Sequence, residues 1–253
     1  MDPERAAREK AAYDEGTFAD DRRRYQSLYR QVYGSPNSLR IKAYWQGLIK
    51  TAAPGRRILE IGCGEGWDCR KFSDWGAAEV HGIDLSTVML DTAKKLQRPG
   101  LQFFEHDLHE PWPHKYDLIV GRSVLHHLNY RVILSTLYDN NLAPGGQMVF
   151  VEPLGQGLLM RIYWRVGSRF HTPDERPFVR DDIEWLQNRF PDFRLVPMNY
   201  ASLPAAGVSW ALGLAVNNPL TRLADRIDVS IAERLPAMKL NYRSAVFHIV
   251  KPG

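Results

Sequence analysis

Apolar and polar positions along the chain fall into recognisable periods. Ile58, Leu59 and Ile61 make a short apolar run that stops at Gly62, the pattern of a strand buried on both faces. Gly62, Gly64 and Gly66 follow at alternate positions, which lets the backbone turn sharply and approach a ligand where a Cβ would collide. Phe72 and Trp75 then read as the inward residues of a helix. Residues 80–83 read as a second strand, ending in Asp84. Strand, glycine turn, helix and strand together predict a βαβ unit that cradles a nucleotide. The carboxylate at the tip of its second strand is placed to accept from a pair of ribose hydroxyls.

Ahead of this unit the pattern predicts two helices. Tyr25, Leu28, Tyr29 and Val32 share one face of the first, and Ile41, Tyr44, Trp45, Leu48 and Ile49 share one face of the second. Gly34, Pro36 and Asn37 separate them, with Ser38 as the expected N-cap. Tyr29 and Trp45 read as core. Tyr13 lies in a polar stretch without apolar periodicity, so packing explains it less well, and its hydroxyl is a candidate latch over a bound ligand.

After Asp84, Ser86 is expected to cap a helix reaching about residue 97, with Met89, Leu90, Ala93 and Leu96 toward the sheet. Residues 101–105 predict a third strand and 117–122 a fourth. Residues 142–146 (LAPGG) signal a turn before a fifth strand at 147–152. Residues 158–170 predict an amphipathic helix, with Leu158, Leu159, Ile162, Tyr163 and Val166 on one side and Arg161, Arg165 and Arg169 on another. Such a basic stripe is either a solvated face or a membrane-surface contact. Asp181 or Asp182 is expected to cap a helix with Ile183, Leu186 and Phe190 inward. Strands follow at 193–196 and 245–250, and between them Leu220, Leu223, Ala224, Ile227 and Ile231 mark one more helix. No charged residue occurs between Arg194 and Arg222. Residues 200–216 are nonetheless too short and too broken by Ser202, Pro204 and Ser209 for a membrane span. They read as a hydrophobic cover over a substrate pocket, or as core.

Composition narrows the picture. With 253 residues, 44% of them hydrophobic and 25% charged, the chain is expected to fold as one domain with helical additions. A net charge of +4 is too small to argue for nucleic acid. Two cysteines, Cys63 and Cys69, offer neither a disulfide framework nor zinc spacing, so no metal is expected and a reducing, cytoplasmic setting fits. The charged first residues exclude a secretory signal as an expectation.

The glycine spacing then selects the nucleotide. A dinucleotide fingerprint wants a glycine at position 67, where this chain has Trp67, which argues against a pyrophosphate. The E-x-G-x-G-x-G run of Glu60, Gly62, Gly64 and Gly66, followed by Asp84, resembles the first two motifs of the class I S-adenosylmethionine-dependent methyltransferases of small-molecule type. The resemblance implies an α/β fold with a Rossmann-like seven-stranded sheet in the order 3-2-1-4-5-7-6, its last strand antiparallel. It implies an N-terminal helical cap at 1–53 and a cofactor-binding domain at 54–253, within which 153–240 is the variable, substrate-covering region. S-adenosylmethionine is the implied cofactor. Its contacts would come from Glu60, Gly62, Cys63 and Gly64 in the glycine turn, from Asp84 and Leu85, from Asp107 and Leu108 around the adenine, from Arg122, and from Tyr13 above. Gly62, Asp84, Asp107, Arg122 and Glu152 are expected along one rim, at the carboxyl ends of the strands.

A sulfonium methyl is already activated, so such a protein has to hold a nucleophile in line at about 3 to 3.5 Å and exclude water. A base is needed only where the nucleophile carries a proton. His126 and His127 are the candidates at the fourth-strand rim, since imidazole titrates near neutrality. Their different directions on a helix let only one reach a substrate. GRSVLHHL is similar to the corresponding segment of the phosphoethanolamine methyltransferases, whose histidine at the position of His127 belongs to the catalytic site. His127 is therefore read as base or substrate orienter, against a backbone-bonded structural histidine, and His126 as the silent neighbour. His171, in the polar loop 171–177 (HTPDERP), is the second catalytic candidate. The run Arg122, Ser123, Val124, Leu125 lacks the Asn or Asp, Pro-Pro and aromatic of enzymes that methylate base amines, so nucleic acid is not expected as a partner. The expected function is methyl transfer to oxygen or nitrogen of a small, partly apolar metabolite. The alternative is a cofactor-binding module that senses or does other chemistry in the same pocket.

Overall fold

The computed structural model describes residues 3–15, 25–166, 172 and 175–253. Among them, β1 (Arg57–Ile61), β2 (Glu79–Asp84), β3 (Leu101–Glu105), β4 (Tyr116–Arg122), β5 (Leu142–Pro153), β6 (Arg194–Met198) and β7 (Ser244–Val250) form one sheet, ordered β3-β2-β1-β4-β5-β7-β6. The first five strands are parallel, and β7 runs antiparallel to β5 and β6. This is the arrangement expected of a class I methyltransferase. Alternation along the strands splits the core in two. Leu59, Ile61, Ile83, Ile119, Phe150 and Phe247 pack on one face. Ile58, Val80, Phe72, Leu118, Val149 and Val246 pack on the other.

The helices are α1 (Pro3–Asp14), α2 (Gln26–Tyr33), α3 (Pro36–Ala52), α4 (Trp67–Asp74), α5 (Thr87–Ala93), α6 (Tyr130–Thr136), α7 (Leu158–Val166), α8 (Arg180–Arg189), α9 (Ser202–Ala211) and α10 (Pro219–Arg234). Hydrophobic periodicity misses α1, because polar contacts hold it. Ser86 caps α5 as expected, accepting from the Met89 N–H at 3.2 Å.

Several expectations need correction. Ser35 is the N-cap of α3. Ser38 sits in the first turn, buried, and donates to the Val32 carbonyl at 2.8 Å and to Asn199 Oδ1 at 3.1 Å. Trp45 is core, edge-on to Phe72, but Tyr29 and Tyr44 are both 38% exposed. The LAPGG segment is not a turn before β5 but its bulged beginning. Leu142 pairs with Tyr116, and the register then shifts so that Leu118 pairs with Gln147. Val179 is the N-cap of α8. Asp182 lies inside the first turn because its carboxylate accepts from the Val179 N–H at 3.0 Å while also holding Tyr130 and Arg176.

In the second half, contacts across the fold decide which helix faces are buried. In α10 the buried residues are Thr221, Ala224 and Asp228, while Leu220, Leu223 and Ile227 are exposed. The reason is polar: the Asp228 carboxylate accepts from the N–H groups of Tyr200, Ala201 and Ser202 at 3.2, 2.6 and 3.2 Å, capping the start of α9. In α7 the inward residues are Met160 and Trp164, and Leu158, Leu159, Ile162 and Tyr163 face solvent beside exposed Arg161 and Arg165. The Tyr163 hydroxyl is pushed up to about 12, first by burial of that end and then by the neighbouring Tyr29 and Tyr33 phenols of α2. Val166 closes α7, its side chain lying outside the description, and Arg169 falls beyond the described residues. No helix among the described residues is long and apolar enough to cross a membrane.

Candidate active site

The glycine turn between β1 and α4 holds Gly62, Gly64 and Gly66 at φ of +63°, +51° and +79°. A Cβ at Gly62 would meet Val124 at 2.6 Å, and one at Gly66 would meet the Phe103 ring at 2.6 Å. At Gly64 a Cβ would meet nothing within 4 Å and would project into open space. That space is a cavity of about 590 Å³ at the carboxyl ends of β1, β2 and β4.

All ten residues expected to bind the cofactor line this cavity: Tyr13, Glu60, Gly62, Cys63, Gly64, Asp84, Leu85, Asp107, Leu108 and Arg122. Asp84 Oδ2 accepts from the Gly64 N–H at 2.7 Å and Oδ1 from the Ser86 N–H at 2.9 Å, so this carboxylate fixes the glycine turn to the end of β2. Burial outweighs those bonds and raises its pKa above the ordinary carboxylate value. Burial, and then the Asp68 charge, push the Glu60 carboxyl up to about 8, and Cys69 Sγ donates to it at 2.8 Å. Asp68, which sequence reasoning passed over, bridges Arg122 Nη2 at 2.9 Å and Lys71 Nζ at 2.6 Å. Asp107 Oδ1 accepts from both the backbone and the ring of His109, at 3.0 and 2.8 Å. Ser123, also on the wall, holds φ +53°, an uncommon conformation for a residue with a side chain.

The α1 helix lies across the cavity and is fastened at both sides. On the β2–β3 side, Lys10 donates to the Leu85 carbonyl at 2.7 Å and to Glu105 at 2.9 Å, and Ser86 donates to Asp14 at 2.6 Å. On the β4 side, Glu9 accepts from His127 Nδ1 at 3.0 Å and from the Thr172 hydroxyl, and the Tyr13 hydroxyl meets His127 Nε2 at 3.3 Å. Glu9 and Tyr13, four residues apart, share one helix face, as do Lys10 and Asp14. That spacing was the available signal for α1, but its partners lie more than seventy residues away.

His126 and His127 sit in a tight turn after β4, not in an α-helix. Their rings are 4.2 Å apart, and both approach Glu175, His126 Nε2 at 3.9 Å and His127 Nδ1 at 3.6 Å. His126 is buried and donates to Glu152 Oε2 at 2.7 Å. Glu152 is fully buried and also accepts from the Val124 and Leu125 N–H groups at 3.0 and 2.9 Å. It lies at the carboxyl end of β5, on the expected rim, but braces the histidine turn from behind the cavity wall and does not line the cavity. For His127, burial alone would lower the pKa, but the Glu9 bond and then the Glu175 and Glu152 charges win and raise it above the ordinary imidazole value. His171 lies outside the described residues. No described residue after Leu128 lines the cavity. The expected cover at 200–216 packs instead on α2 and α10, with Trp210 Nε1 donating to Ser27 at 3.0 Å and Asn218 to Ser209 at 2.9 Å.

Comparison with known proteins agrees with this geometry. The methyltransferase-domain family matches residues 37–201. Malonyl-[acyl-carrier protein] O-methyltransferase of Halalkalibacterium halodurans is 32% identical over 103 residues, 38% of this chain and 38% of that one. The structure of phosphoethanolamine N-methyltransferase 2 of Haemonchus contortus, with phosphomonomethylethanolamine and S-adenosylhomocysteine, superposes with TM-score 0.62 at 20% identity, covering 97% of this chain and 59% of that one. Magnesium protoporphyrin IX methyltransferase of Synechocystis, with bound S-adenosylhomocysteine, gives 0.58 at 15% identity over 98% and 99%. The chain spans 58% and 38% of the length of the first two curated relatives it matches. The chain belongs to the methyltransferase-domain family. Its sheet order and the overall superposition give it the fold of the class I S-adenosylmethionine-dependent methyltransferases.

Proposed function

We propose that this chain transfers the methyl group of S-adenosylmethionine to an oxygen or nitrogen of a small, partly apolar metabolite. The residues present fit the cofactor. The Asp68–Arg122 pair offers opposite charges for the amino and carboxylate groups of its methionine part, and the Glu60 carboxyl a further hydrogen-bonding group beside them. Asp84 offers carboxylate oxygens to the ribose, and Asp107 and Leu108 lie where the adenine is expected. When bound, the cofactor supplies an electrophilic methyl on a sulfonium sulfur.

The observation that supports transfer, and not binding alone, is the chain of contacts from Tyr13 through His127 to Glu9 on the cavity wall. Such a chain can take a proton from a hydroxyl or ammonium acceptor, with Glu9 orienting the imidazole and stabilising its charge. The α1 helix, closed over the cavity, keeps water out. In this reading residues 1–53 act as the cap. The 153–240 region acts on the acceptor end only from behind, through Thr172 on Glu9 and Glu175 beside His127, with His171 adjoining Thr172 in sequence.

Incubation with labelled cofactor and a panel of phenols, amines and cell-extract fractions, with products followed by mass, tests the proposal. The expected result is a product heavier by one methyl for hydrogen. Tight cofactor binding without transfer to any fraction would favour a sensor or other non-methylating module.

A further inference from the structure

Most of the exposed large apolar side chains among the described residues gather on four helices, while Leu39, Tyr44, Trp67, Val88 and Val132 are exposed singly elsewhere. α2 packs on α9 through Trp210 and Ser27, and through Gln31, which donates to the Leu214 and Ala215 carbonyls at 3.4 Å. α9 joins α10 through Asn218 and Ser209. α7 is near enough to α2 for the Tyr29 and Tyr33 phenols to act electrostatically on the Tyr163 hydroxyl.

Each of these helices turns large apolar side chains outward. α7 exposes Leu158 (71%), Leu159 and Ile162. The end of α9 and the residues after it expose Trp210, Leu212 (67%) and Leu214. α10 exposes Leu220, Leu223 and Ile227, at the i, i+3, i+7 spacing of one helical face. Soluble monomers seldom leave so much contiguous apolar surface open. The ordinary explanation, that these stripes point to the core, is closed off by the polar anchors behind them. Asp228 fixes the buried side of α10, and Met160 and Trp164 fill the buried side of α7.

The charges at this surface are mostly of one sign. Arg30, Arg161, Arg165, Arg222, Arg226 and Arg234 are exposed on the same helices. The acidic residues of α10 are Asp225, paired with Arg40 at 3.1 Å, buried Asp228, and exposed Glu233. Apolar side chains interleaved with arginines are what a helix needs to lie in the headgroup layer of an anionic bilayer. The face also continues to the cavity, because Tyr33 of α2 is both exposed and part of the cavity lining.

We infer that the α7–α2–α9–α10 face docks on an anionic lipid bilayer, so that the methyl acceptor enters the cavity beside Tyr33 from the membrane surface. The docking stands on the surface itself. Only the delivery of the acceptor rests on the methyl-transfer reading.

The test is flotation of the full chain with vesicles of phosphatidylcholine alone or mixed with phosphatidylglycerol. The protein should float with the anionic vesicles, sink with the neutral ones, and be partly released by high salt, which screens the arginines. Leu158→Glu and Leu223→Glu change exposed positions and should fold with unchanged melting and cofactor affinity, yet each should lower the bound fraction severalfold. Arg161→Gln with Arg165→Gln should weaken anionic binding by about fivefold per arginine. Failure to float with anionic vesicles, or flotation indifferent to these substitutions, would overturn the inference. A stable dimer in light scattering that the same substitutions dissociate, with no vesicle binding, would assign the face to a second copy and overturn it equally. If the variants lose flotation but methylate a detergent-dispersed acceptor as well as the parent, docking stands. If no acceptor is methylated in either state, only the methyl-transfer reading falls.

Discussion

Replacing Glu9 by glutamine separates the roles in the Tyr13–His127–Glu9 chain with little change of shape. Glu9 Oε2 lies 3.0 Å from His127 Nδ1, the residue is 6% exposed, and its other oxygen is held by Thr172. A hydrogen bond to a charged group contributes about 1.5 to 3 kcal/mol and a neutral one about 0.5 to 1.5. The difference, about 1 to 1.5 kcal/mol, is a loss of roughly tenfold in turnover where His127 acts as base. The pH profile moves as well. Glu9 is the foremost of the groups that raise the His127 pKa against burial, so its loss lowers that pKa and shifts the acid limb of the rate profile to lower pH. The linked stability has a definite sign. With the folded pKa raised above the unfolded 6.5, the pair stabilises the protein fully below 6.5, and this contribution is lost as pH rises through the folded value. In the variant that pH-dependent contribution shrinks. The assay is kcat/KM against pH on the acceptor found by the product screen, with cofactor affinity by calorimetry as control. A lower plateau with an unmoved acid limb, or a moved limb with an unchanged plateau, would refute the idea that Glu9 works through His127.

Four further substitutions test the rest of the site. Asp84→Ala removes an acceptor for the ribose and the bond to Gly64, so cofactor affinity should fall at least about tenfold in calorimetry, and equal affinity in a folded variant would remove Asp84 from the site. Glu60, protonated when folded up to about pH 8 but ionised when unfolded above 4.5, makes the cofactor-free protein lose stability as pH rises between those values, by up to about 1.4 kcal/mol per pH unit. Glu60→Gln should flatten that slope in denaturant titrations, and an unchanged slope would show that Glu60 is ionised in the folded state. His126→Ala, expected from sequence alone to be silent, should instead cost about 1.5 to 3 kcal/mol by leaving buried Glu152 short of a partner. His127→Ala should cut turnover about 100-fold with cofactor affinity intact, and the reverse ranking of the two would exchange their roles.

The sheet order and the cofactor cavity were legible in the sequence because both rest on local grammar. Apolar runs ending in Gly62, Asp84 and Arg122 dictate where parallel strands stop, and the carboxyl ends of such strands meet at one edge by topology. Residues whose place follows from a strand end, such as Glu60 and Asp107, therefore lie on the cavity wall as expected. Others are set by contacts across the fold, and only the tertiary structure decided them. α1 has no apolar stripe, and its position comes from Lys10, Asp14 and Glu9 reaching partners 72 to 163 residues away. His126 looks like its neighbour in sequence, yet Glu152, from a strand later in the chain, takes it into the core. Which faces of α7 and α10 turn inward was likewise decided only by the tertiary structure. A helical stripe marks which residues lie together but not what lies opposite, and in α10 the buried side is the one that carries Asp228, the cap of the α9 N–H groups.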